Sequence, residues 1–291
     1  MHSALPMTLQ QTPAAFQNTP DYVQSLHRGL DVICAFGRGQ AAMTLSDLAE
    51  RTGLSRAVVR RLLLTLESLG YVRRHDRLFA LTPRILELGY GYLSSLTIAK
   101  LALPHMEEVA RTINESCSLS VLDGHDIVYV QRVAVRKVMT FSLEVGARLP
   151  AFCASMGRVL VAGLDEEARA RWLRGLKPRA LTRYTITDKP TLMKELVRVR
   201  QQGYAYVEQE LEEGLCSMAV PVSDGRSTLA ALNAGMPFRT GARALAVKEV
   251  LPALQAAARR IEMTLPEGGH LAHVTDASRS TMGATAWKDA R

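Results

Sequence analysis

The sequence has few cysteines, and none of the four is placed for metal binding or a disulfide framework. Cys34, Cys117, Cys153 and Cys216 lie far apart, without a CxxC pair and without a histidine at zinc-ligand spacing. A chain of 291 residues is also long enough to build a core without disulfides. We therefore expect free, buried thiols, and neither a bound metal nor a cofactor.

Long apolar runs are absent too, and we expect no membrane partner. No stretch reaches the roughly 18 apolar residues that a membrane helix needs, and the N-terminus lacks the basic and apolar regions of a secretion signal. Residues 1–20 contain three prolines and no Asp, Glu, Lys or Arg, whereas residues 266–291 are rich in small and polar residues without periodicity. The sequence predicts a cytoplasmic protein with a disordered leader and a flexible tail.

Catalytic signatures are missing as well. The second half contains no GxSxG or HExxH motif. The segment DGHD at 123–126 offers metal-ligand side chains, but an Asp-Gly pair between two strand-like segments is typical of a tight turn. The acidic run EQELEEG at 208–214 is typical of a solvated loop, and neither Cys153 nor Ser155 has a recognisable base nearby in sequence. We expect no catalytic residue and no metal site.

What the sequence does have is an excess of positive charge. It contains 36 Lys and Arg against 28 Asp and Glu, a formal net charge of +8, which favours an anionic partner. Residues 51–77 alone contain seven arginines and two acidic residues. The length suggests two domains, at roughly 100–200 residues per domain.

Local signals in residues 21–82 predict the order helix, helix, tight turn, helix, hairpin. Thr44 and Asp47 have the spacing of a capping box, Gly53 is placed to end that helix, and Ser55 can cap the next one. The predicted apolar stripes are Leu26, Leu30, Ile33 and Cys34 on the first helix, and Val58, Leu62, Leu66 and Leu69 on the third.

The segment YVRRHDRLFALT after Gly70 predicts two short strands joined by the charged turn RRHDR. This order of elements is a winged helix-turn-helix, in which the start of the third helix reads base edges and the flanking groups bind phosphate. The arginine fork suits both tasks. The predicted DNA-binding residues are Ser55, Arg56, Ala57, Arg60 and Arg61 on the helix, with Arg73, Arg74 and Arg77 at the wing tip.

Residues 101–265 alternate helix-like and strand-like segments, which predicts an α+β domain with a mostly antiparallel sheet. Strands are expected at 117–124, 126–133, 138–145, 204–210, 216–223 and 228–235, and the main helices at 102–114, from Ser155, at 165–173, 188–203 and 241–263. Residues 83–100 form the predicted linker helix, with Thr82 as cap and Pro83 at its first position.

Several segments in this order resemble the IclR family of bacterial transcriptional regulators. They are YVQSLHRGLDVICAF, LSRAVVRRLLLTLESLGYV, FALTPRILELGYGYLSSL, ESCSLSVLDGHDIVYVQRV, RLPAFCASMGRVLVAGL and EQELEEGLCSMAVPV. The similarity spans about residues 22–265. It is strongest to the branch of PcaR, PcaU and PobR, which governs aromatic-acid and β-ketoadipate catabolism.

The resemblance implies an N-terminal winged helix-turn-helix and a C-terminal GAF-like effector domain. It also implies homodimers or tetramers on double-stranded promoter DNA, an organic-acid effector that is aromatic or a ring-cleavage product, and RNA polymerase as a further partner. Carried over by position, the effector-binding residues are Ser155, Met156, Val207 or Glu208, Ser217, Asn233 and Gly235.

Three of these positions, Met156, Val207 and Gly235, are less polar than in better-known members, which indicates a larger or less polar effector than a two- or three-carbon acid. A carboxylate is expected to use the N–H groups of Ser155 and Met156, at a helix N-terminus, and the amide of Asn233. The sequence leaves one alternative open, a small-molecule enzyme whose basic N-terminal domain is an interaction module.

Overall fold

The structure, a computed structural model, describes residues 14–36, 41–89, 97–135 and 144–265. The described residues fall into two compact units, one before and one after residues 90–96. None of the helices among these residues is long and apolar enough to span a membrane.

The first unit has the predicted helix, helix, turn, helix, hairpin order. Its elements are α1 (Ala14–Gln17), α2 (Gln24–Ala35), β1 (Met43–Thr44), α3 (Leu45–Thr52), α4 (Arg56–Ser68), β2 (Val72–His75) and β3 (Leu78–Leu81). The strands form an antiparallel sheet in the order β1-β3-β2, and β1 was not predicted. The predicted leader is described only from residue 14, and α1 is a single turn within it.

The capping signals act as predicted. Thr44 Oγ1 accepts the Asp47 N–H at 3.2 Å, while the Asp47 carboxylate accepts the Thr44 N–H at 3.0 Å. Gly53 ends α3 with φ of 66°, a left-handed conformation that glycine adopts without steric cost. Ser55 then caps α4 by accepting the Val58 N–H. These contacts fix the tight turn between α3 and α4.

The predicted buried stripe of α4 is confirmed at Leu66 and wrong by one residue at Val58 and Leu62. The core contains Val59, Leu63 and Leu66, whereas Leu69 is 51% exposed and Val58 and Leu62 are only partly buried. Spacing alone does not separate two adjacent apolar stripes of one helix, because both repeat every three to four residues. Packing against α2, α3 and the hairpin selects the stripe that is buried.

The predicted stripe of α2 is wrong for the same reason, except at Ile33, which is partly buried against the core. Val32 and the following Phe36 enter the core, while Leu26 and Leu30 are exposed. Cys34 is exposed as well, so the expectation of four buried thiols is corrected to three. The exposed stripe leaves an apolar face on α2.

The wing hairpin is longer than predicted. Strand β2 continues through Arg73 and Arg74 to His75, and only Asp76 and Arg77 form the turn, with Asp76 at φ of 53°. Only Arg77 of the three predicted wing-tip arginines therefore lies in the turn. Charged residues can occupy β2 because all of it after Val72 is exposed.

The second unit confirms the predicted α+β fold class. Its elements are α5 (Thr97–Ile113), β4 (Cys117–Asp123), β5 (Asp126–Val133), β6 (Arg148–Pro150), α6 (Ser155–Gly163), α7 (Glu166–Gly175), α8 (Lys189–Gln202), β7 (Ala205–Glu208), β8 (Leu215–Ser223), β9 (Thr228–Pro237), α9 (Ala242–Leu245) and α10 (Leu251–Thr264). The sheet order is β6-β5-β4-β9-β8-β7, and every neighbouring pair is antiparallel.

Alternate residues of these strands enter two separate cores. Cys117, Leu119, Met218 and Leu232 face the larger core, which α5 and α10 complete. The opposite face packs against α6 and α8, and there the buried polar residues Ser118, Ser120 and Asn233 lie among apolar residues such as Ala219 and Ala231. This period-two pattern directs small polar side chains towards α6.

Three details differ from the prediction. Strand β6 was not expected, and the predicted strand 138–145 falls mostly on residues 136–143, outside the described ones. The predicted helix 241–263 is interrupted by a π-helical turn at Ala246–Val250. The linker helix has a 3-10 turn at Pro83–Ile85, and its residues 90–96, like the tail 266–291, lie outside the described residues.

Candidate DNA-binding surface and effector cavity

The start of α4 presents a basic exposed face. Arg56, Ala57, Arg60 and Arg61 are all exposed, and they lie away from the buried residues Val59, Leu63 and Leu66. None of these arginines forms an ion pair with another described residue. A capped helix that follows a tight turn and carries unpaired arginines has the geometry that a major groove accepts.

The wing adds three arginines beside this helix in the same unit. Arg73 and Arg77 have no ion-pair partner among the described residues, whereas Arg74 Nε donates to the Asp76 carbonyl at 2.9 Å. That bond ties Arg74 to the turn, so Arg73 and Arg77 are the freer cations. The eight predicted DNA-binding residues therefore all lie exposed on one small unit.

The second unit encloses a cavity of about 170 Å³ between the sheet and the N-terminus of α6. Its walls come from all six strands of the sheet, the start of α6 with the residues before it, and the segment 210–214. Six predicted effector-binding residues line it, namely Ser155, Met156, Val207, Ser217, Asn233 and Gly235. Glu208 is not among the lining residues, because it alternates with Val207 along β7 and is exposed.

A cation and a hydroxyl meet on one wall. Arg132 on β5 lies directly opposite Ser118 on β4, and its guanidinium donates to Ser118 Oγ at 3.1 Å. Asn233 on β9 is the neighbour of Ser118 on the other side. Cross-strand neighbours share a face, so Arg132, Ser118 and Asn233 form one polar row across three strands. All three line the cavity.

Two buried polar atoms of the cavity lack a partner. Among the described residues, Ser155 Oγ and Asn233 Oδ1 have no hydrogen bond, although Ser155 is 1% exposed and Asn233 7% exposed. An unsatisfied buried polar group costs about 1–3 kcal/mol. A ligand that forms hydrogen bonds with these two atoms therefore gains free energy of about this size.

The N-terminus of α6 faces the same space. The preceding residue, Ala154, provides no side-chain cap, so the first N–H groups of the helix have no capping acceptor from it. Gly157 is required there, because a Cβ atom would lie 2.1 Å from the Ala151 carbonyl oxygen. This close approach places the residues before α6 against its first turn, where N–H groups favour an anion.

The acidic run 208–214 is not a solvated loop throughout. Glu210 is buried and pairs with buried Arg158 at 2.7 Å, and its carboxylate also accepts the Ile186 N–H at 3.1 Å. Burial raises the pKa of Glu210, and the Arg158 guanidinium opposes that shift. Glu210 to Gly214 then form part of the cavity wall.

Two further titratable side chains of the cavity, Cys153 and Tyr129, stay neutral at neutral pH. Burial raises the pKa of the Cys153 thiol to about 12, and it raises the pKa of Tyr129 to about 12. A thiol with such a pKa is not a nucleophile at neutral pH, because the thiolate is the reactive form. Tyr129 remains a phenol that can donate a hydrogen bond.

The segment DGHD forms the predicted turn. Asp123 pairs with Asp126 at the end of the β4–β5 hairpin, and Arg148 binds both carboxylates, at 2.6 and 3.3 Å. No group of three metal-ligating side chains is present in the part of the chain that the structure describes. These two aspartates therefore have a structural partner in Arg148.

Sequence reasoning missed Arg132, Ser118, Tyr129 and Glu210. A partial signal was available in the alternation of CSLSVLD, which places Ser118 and Ser120 on the face away from the apolar core. Arg132 gave no such signal, because a register shift after Leu119 decides which β5 residue lies opposite Ser118.

Comparisons with known proteins agree with this geometry. A family model for the IclR helix-turn-helix domain matches residues 25–76, and the model "Bacterial transcriptional regulator IclR C-terminal" matches residues 90–263. The Pca regulon regulatory protein of Pseudomonas putida is 40% identical over 247 residues, which is 84% of this chain and 85% of that protein. The p-hydroxybenzoate hydroxylase transcriptional activator of Acinetobacter baylyi is 35% identical, covering 84% of this chain and 92% of that one.

Solved structures are similar as well. An IclR homolog from Microbacterium hydrocarbonoxydans, crystallised with 4-hydroxybenzoate, superposes with a TM-score of 0.72 at 28% identity, covering 82% of this chain and 98% of that one. The inducer-binding domain of PobR from Acinetobacter, a double mutant in complex with 3-hydroxybenzoic acid, matches 56% of this chain and 97% of its own, with a TM-score of 0.52 and 32% identity.

The members of this family are transcriptional regulators rather than enzymes, which removes the alternative of an enzyme with an interaction module. The helix-turn-helix unit implies that the protein binds DNA. The chain belongs to the IclR family of bacterial transcriptional regulators.

Proposed function

We propose that this regulator controls genes of aromatic-compound breakdown, and that its effector is an aromatic carboxylic acid or a ring-cleavage product bound in the cavity. The observation that carries the proposal is the row of Arg132, Ser118 and Asn233 in a cavity of about 170 Å³. The relatives named for the Pca regulon and for p-hydroxybenzoate hydroxylase support the pathway.

The cavity fits one aromatic ring. Its volume of about 170 Å³ is similar to the roughly 150 Å³ of an engineered protein cavity that binds benzene. Tyr129, Leu149, Met156 and Val207 provide apolar surface for the ring. The less polar residues at 156 and 207 thus favour a ring over a two-carbon acid.

The polar groups fit the carboxylate. Arg132 offers charge-assisted hydrogen bonds, the first turn of α6 offers N–H groups, and Asn233 offers its amide. We propose Ser155, Met156, Val207, Ser217, Asn233 and Gly235 as effector-binding residues, with Arg132 and Ser118 added and Glu208 omitted.

Calorimetric titration with 4-hydroxybenzoate tests this proposal. Arg132→Gln is expected to weaken binding roughly 10- to 100-fold, because it removes a hydrogen bond between charged groups. The same substitution is expected to leave the affinity for the neutral 4-hydroxybenzamide nearly unchanged, because this ligand has no carboxylate for Arg132 to bind. Arg259→Gln is the matched control, since Arg259 is an exposed residue of α10, on the opposite face of the sheet. Equal affinity of all three proteins for the acid would remove Arg132 from the site.

Asn233→Ala separates effector response from DNA binding. We expect a reduced effector response with unchanged DNA affinity in the absence of effector, because Asn233 lies in the second unit. An unchanged dose response would remove Asn233 from the site.

On DNA, we propose that a homodimer, or a pair of dimers, places two α4 helices about 34 Å apart on a palindromic promoter site. The proposed contacts are Ser55, Arg56, Ala57, Arg60 and Arg61 in the major groove, and Arg73, Arg74 and Arg77 on the backbone or minor groove. The effector shifts the dimer between two geometries through residues 83–100, because it binds one geometry more tightly than the other. The protein then acts in the cytoplasm, with RNA polymerase as a further partner.

Arg56→Ala tests the assignment of base contact. We expect it to weaken binding to the operator by about 1–3 kcal/mol and to change binding to random duplexes less. Equal losses on both duplexes would show that Arg56 contacts only phosphate. Failure of the unmodified protein to bind its own promoter DNA at low salt would reject the proposed function itself.

A further inference from the structure

The second unit contains a stretch with the same excess of positive charge as residues 51–77 of the first unit. Residues 171–187, here called the basic segment, contain five Lys or Arg and no Asp or Glu. They run from the second half of α7 to the residue before Asp188, the cap of α8. Residues 51–77 have the same excess of five, from seven arginines and two acids. The effector cavity uses none of these five cations.

Most of these cations are free. Arg174, Lys177 and Arg179 are exposed and form no ion pair with another described residue. Arg183 approaches Glu213 only at 3.6 Å, with both side chains more than half exposed. Exposed ion pairs of this kind contribute little to stability, so Arg183 can exchange Glu213 for another anion.

The segment is nevertheless ordered. Leu173 and Leu176 are buried in a small core, and Thr182 Oγ1 and Thr185 Oγ1 donate to the carbonyls of Gln209 and Glu210 at 2.7 and 2.6 Å. A charged loop fixed in this way loses little conformational entropy when it binds a partner. That distinguishes it from an ordinary solvated charged loop.

The chemistry of the surface fits phosphate. Arginine, lysine and hydroxyl side chains are the usual donors to DNA phosphates. Tyr184 is the one large apolar residue of the segment that is exposed, and the Arg183 guanidinium covers its ring at 4.8 Å. Protein partners are bound around an apolar, often aromatic centre, whereas this surface offers only Tyr184, whose ring the Arg183 guanidinium covers.

We propose that the basic segment contacts the phosphate backbone of the duplex that flanks the operator, as a second and sequence-independent DNA contact. The proposal rests on the DNA-binding function proposed above and extends it to the second unit. Each phosphate contact releases counterions and contributes about 0.9 to the slope of log affinity against log salt concentration. Three free cations therefore add up to about 3 to that slope.

Fluorescence anisotropy on two labelled duplexes tests the proposal, with the full chain in both cases. One duplex contains the operator alone, and the other extends it by random sequence on both sides. The variant Arg174→Gln/Lys177→Gln/Arg179→Gln is expected to lower the salt slope by about 2 to 3 on the extended duplex. On the operator alone its slope and affinity are expected to be unchanged.

The control variant Arg111→Gln/Lys248→Gln/Arg259→Gln removes the same charge from exposed positions elsewhere in the unit. If both variants lose equal slope on the extended duplex, the effect is one of net charge and the proposal is overturned. Unchanged slopes on both duplexes, with loss of transcription by purified RNA polymerase, would assign the surface to an acidic protein and also overturn it. Binding of the unmodified protein to the operator alone distinguishes these outcomes from failure of the proposed function.

Discussion

The DNA-reading helix and the effector cavity obtain their polar groups in opposite ways. Helix α4 carries Arg56, Arg60 and Arg61 within two turns, and its cap and the preceding turn are set by neighbouring residues. The cavity collects Arg132, Ser155 and Asn233 from β5, α6 and β9. The first site depends on local geometry, and the second depends on how distant strands align.

The difference extends to what stabilises each site. The helices of the first unit rest on caps and on a small core around Leu48, Val59 and Leu63. The wall of the cavity rests on a buried ion pair, Arg158 with Glu210, which joins α6 to the segment after β7. We therefore expect substitutions in the two units to change the free energy of unfolding by different amounts and with different pH dependence.

The largest expected effect is at the buried ion pair. Arg158→Met leaves the Glu210 carboxylate buried without its cation and is expected to cost the second unit about 3–5 kcal/mol. Chemical denaturation, with hydrogen exchange followed in α6 and β8, measures the loss. The double variant Arg158→Met/Glu210→Leu removes both charges and is expected to recover most of it. If the double variant is no more stable than the single one, the pair is not coupled as the geometry indicates.

The next effect distinguishes the two stripes of α4. Leu63→Ala is expected to destabilise the first unit by about 2–5 kcal/mol, because Leu63 is fully buried. Leu62→Ala is the matched substitution on the stripe that spacing alone predicted, and its cost is expected to be clearly smaller. The free energy of unfolding, read by hydrogen exchange in α2 and α4, compares them. Equal losses in the free energy of unfolding would instead support the stripe that spacing predicted, which includes Leu62.

A smaller effect is expected at the cap of α3. Thr44→Ala removes the oxygen that accepts the Asp47 N–H, which typically costs about 1 kcal/mol. Thr44→Ser keeps this acceptor and is expected to retain most of the stability. Thermal unfolding of the two variants measures the difference, and equal melting temperatures would show that the capping box contributes nothing.

The smallest effect is the pH dependence of the same cap. Hydrogen bonds from the Thr44 backbone and side chain lower the pKa of Asp47 below its ordinary value. The stabilising contribution is therefore present above the ordinary carboxyl pKa of about 4 and is lost as pH falls through the lowered value. Melting temperatures from pH 5 to pH 3 are expected to fall less for Asp47→Asn than for the unmodified chain. Parallel curves would contradict this assignment.

Much of the DNA-reading site was predictable because its signals act within a few residues. The capping box spans Thr44 to Asp47, Gly53 ends α3, and Ser55 begins α4. The arginines follow at helical positions that stay exposed whichever adjacent stripe is buried. The choice between Leu62 and Leu63, like the buried stripe of α2, required contacts among the helices and with the hairpin.

The sequence by itself determined the order of elements, the caps, the basic face of α4 and the residue types around the cavity. Tertiary structure decided which residues meet there. Near the turn Asp123 pairs with Asp126, but a bulge after Leu119 shifts the register and brings Arg132, rather than Gln131, opposite Ser118. Glu210 is likewise buried in the folded protein, where it pairs with Arg158, 52 positions away in the chain. Such contacts depend on strand register and packing between distant segments, which local sequence does not encode.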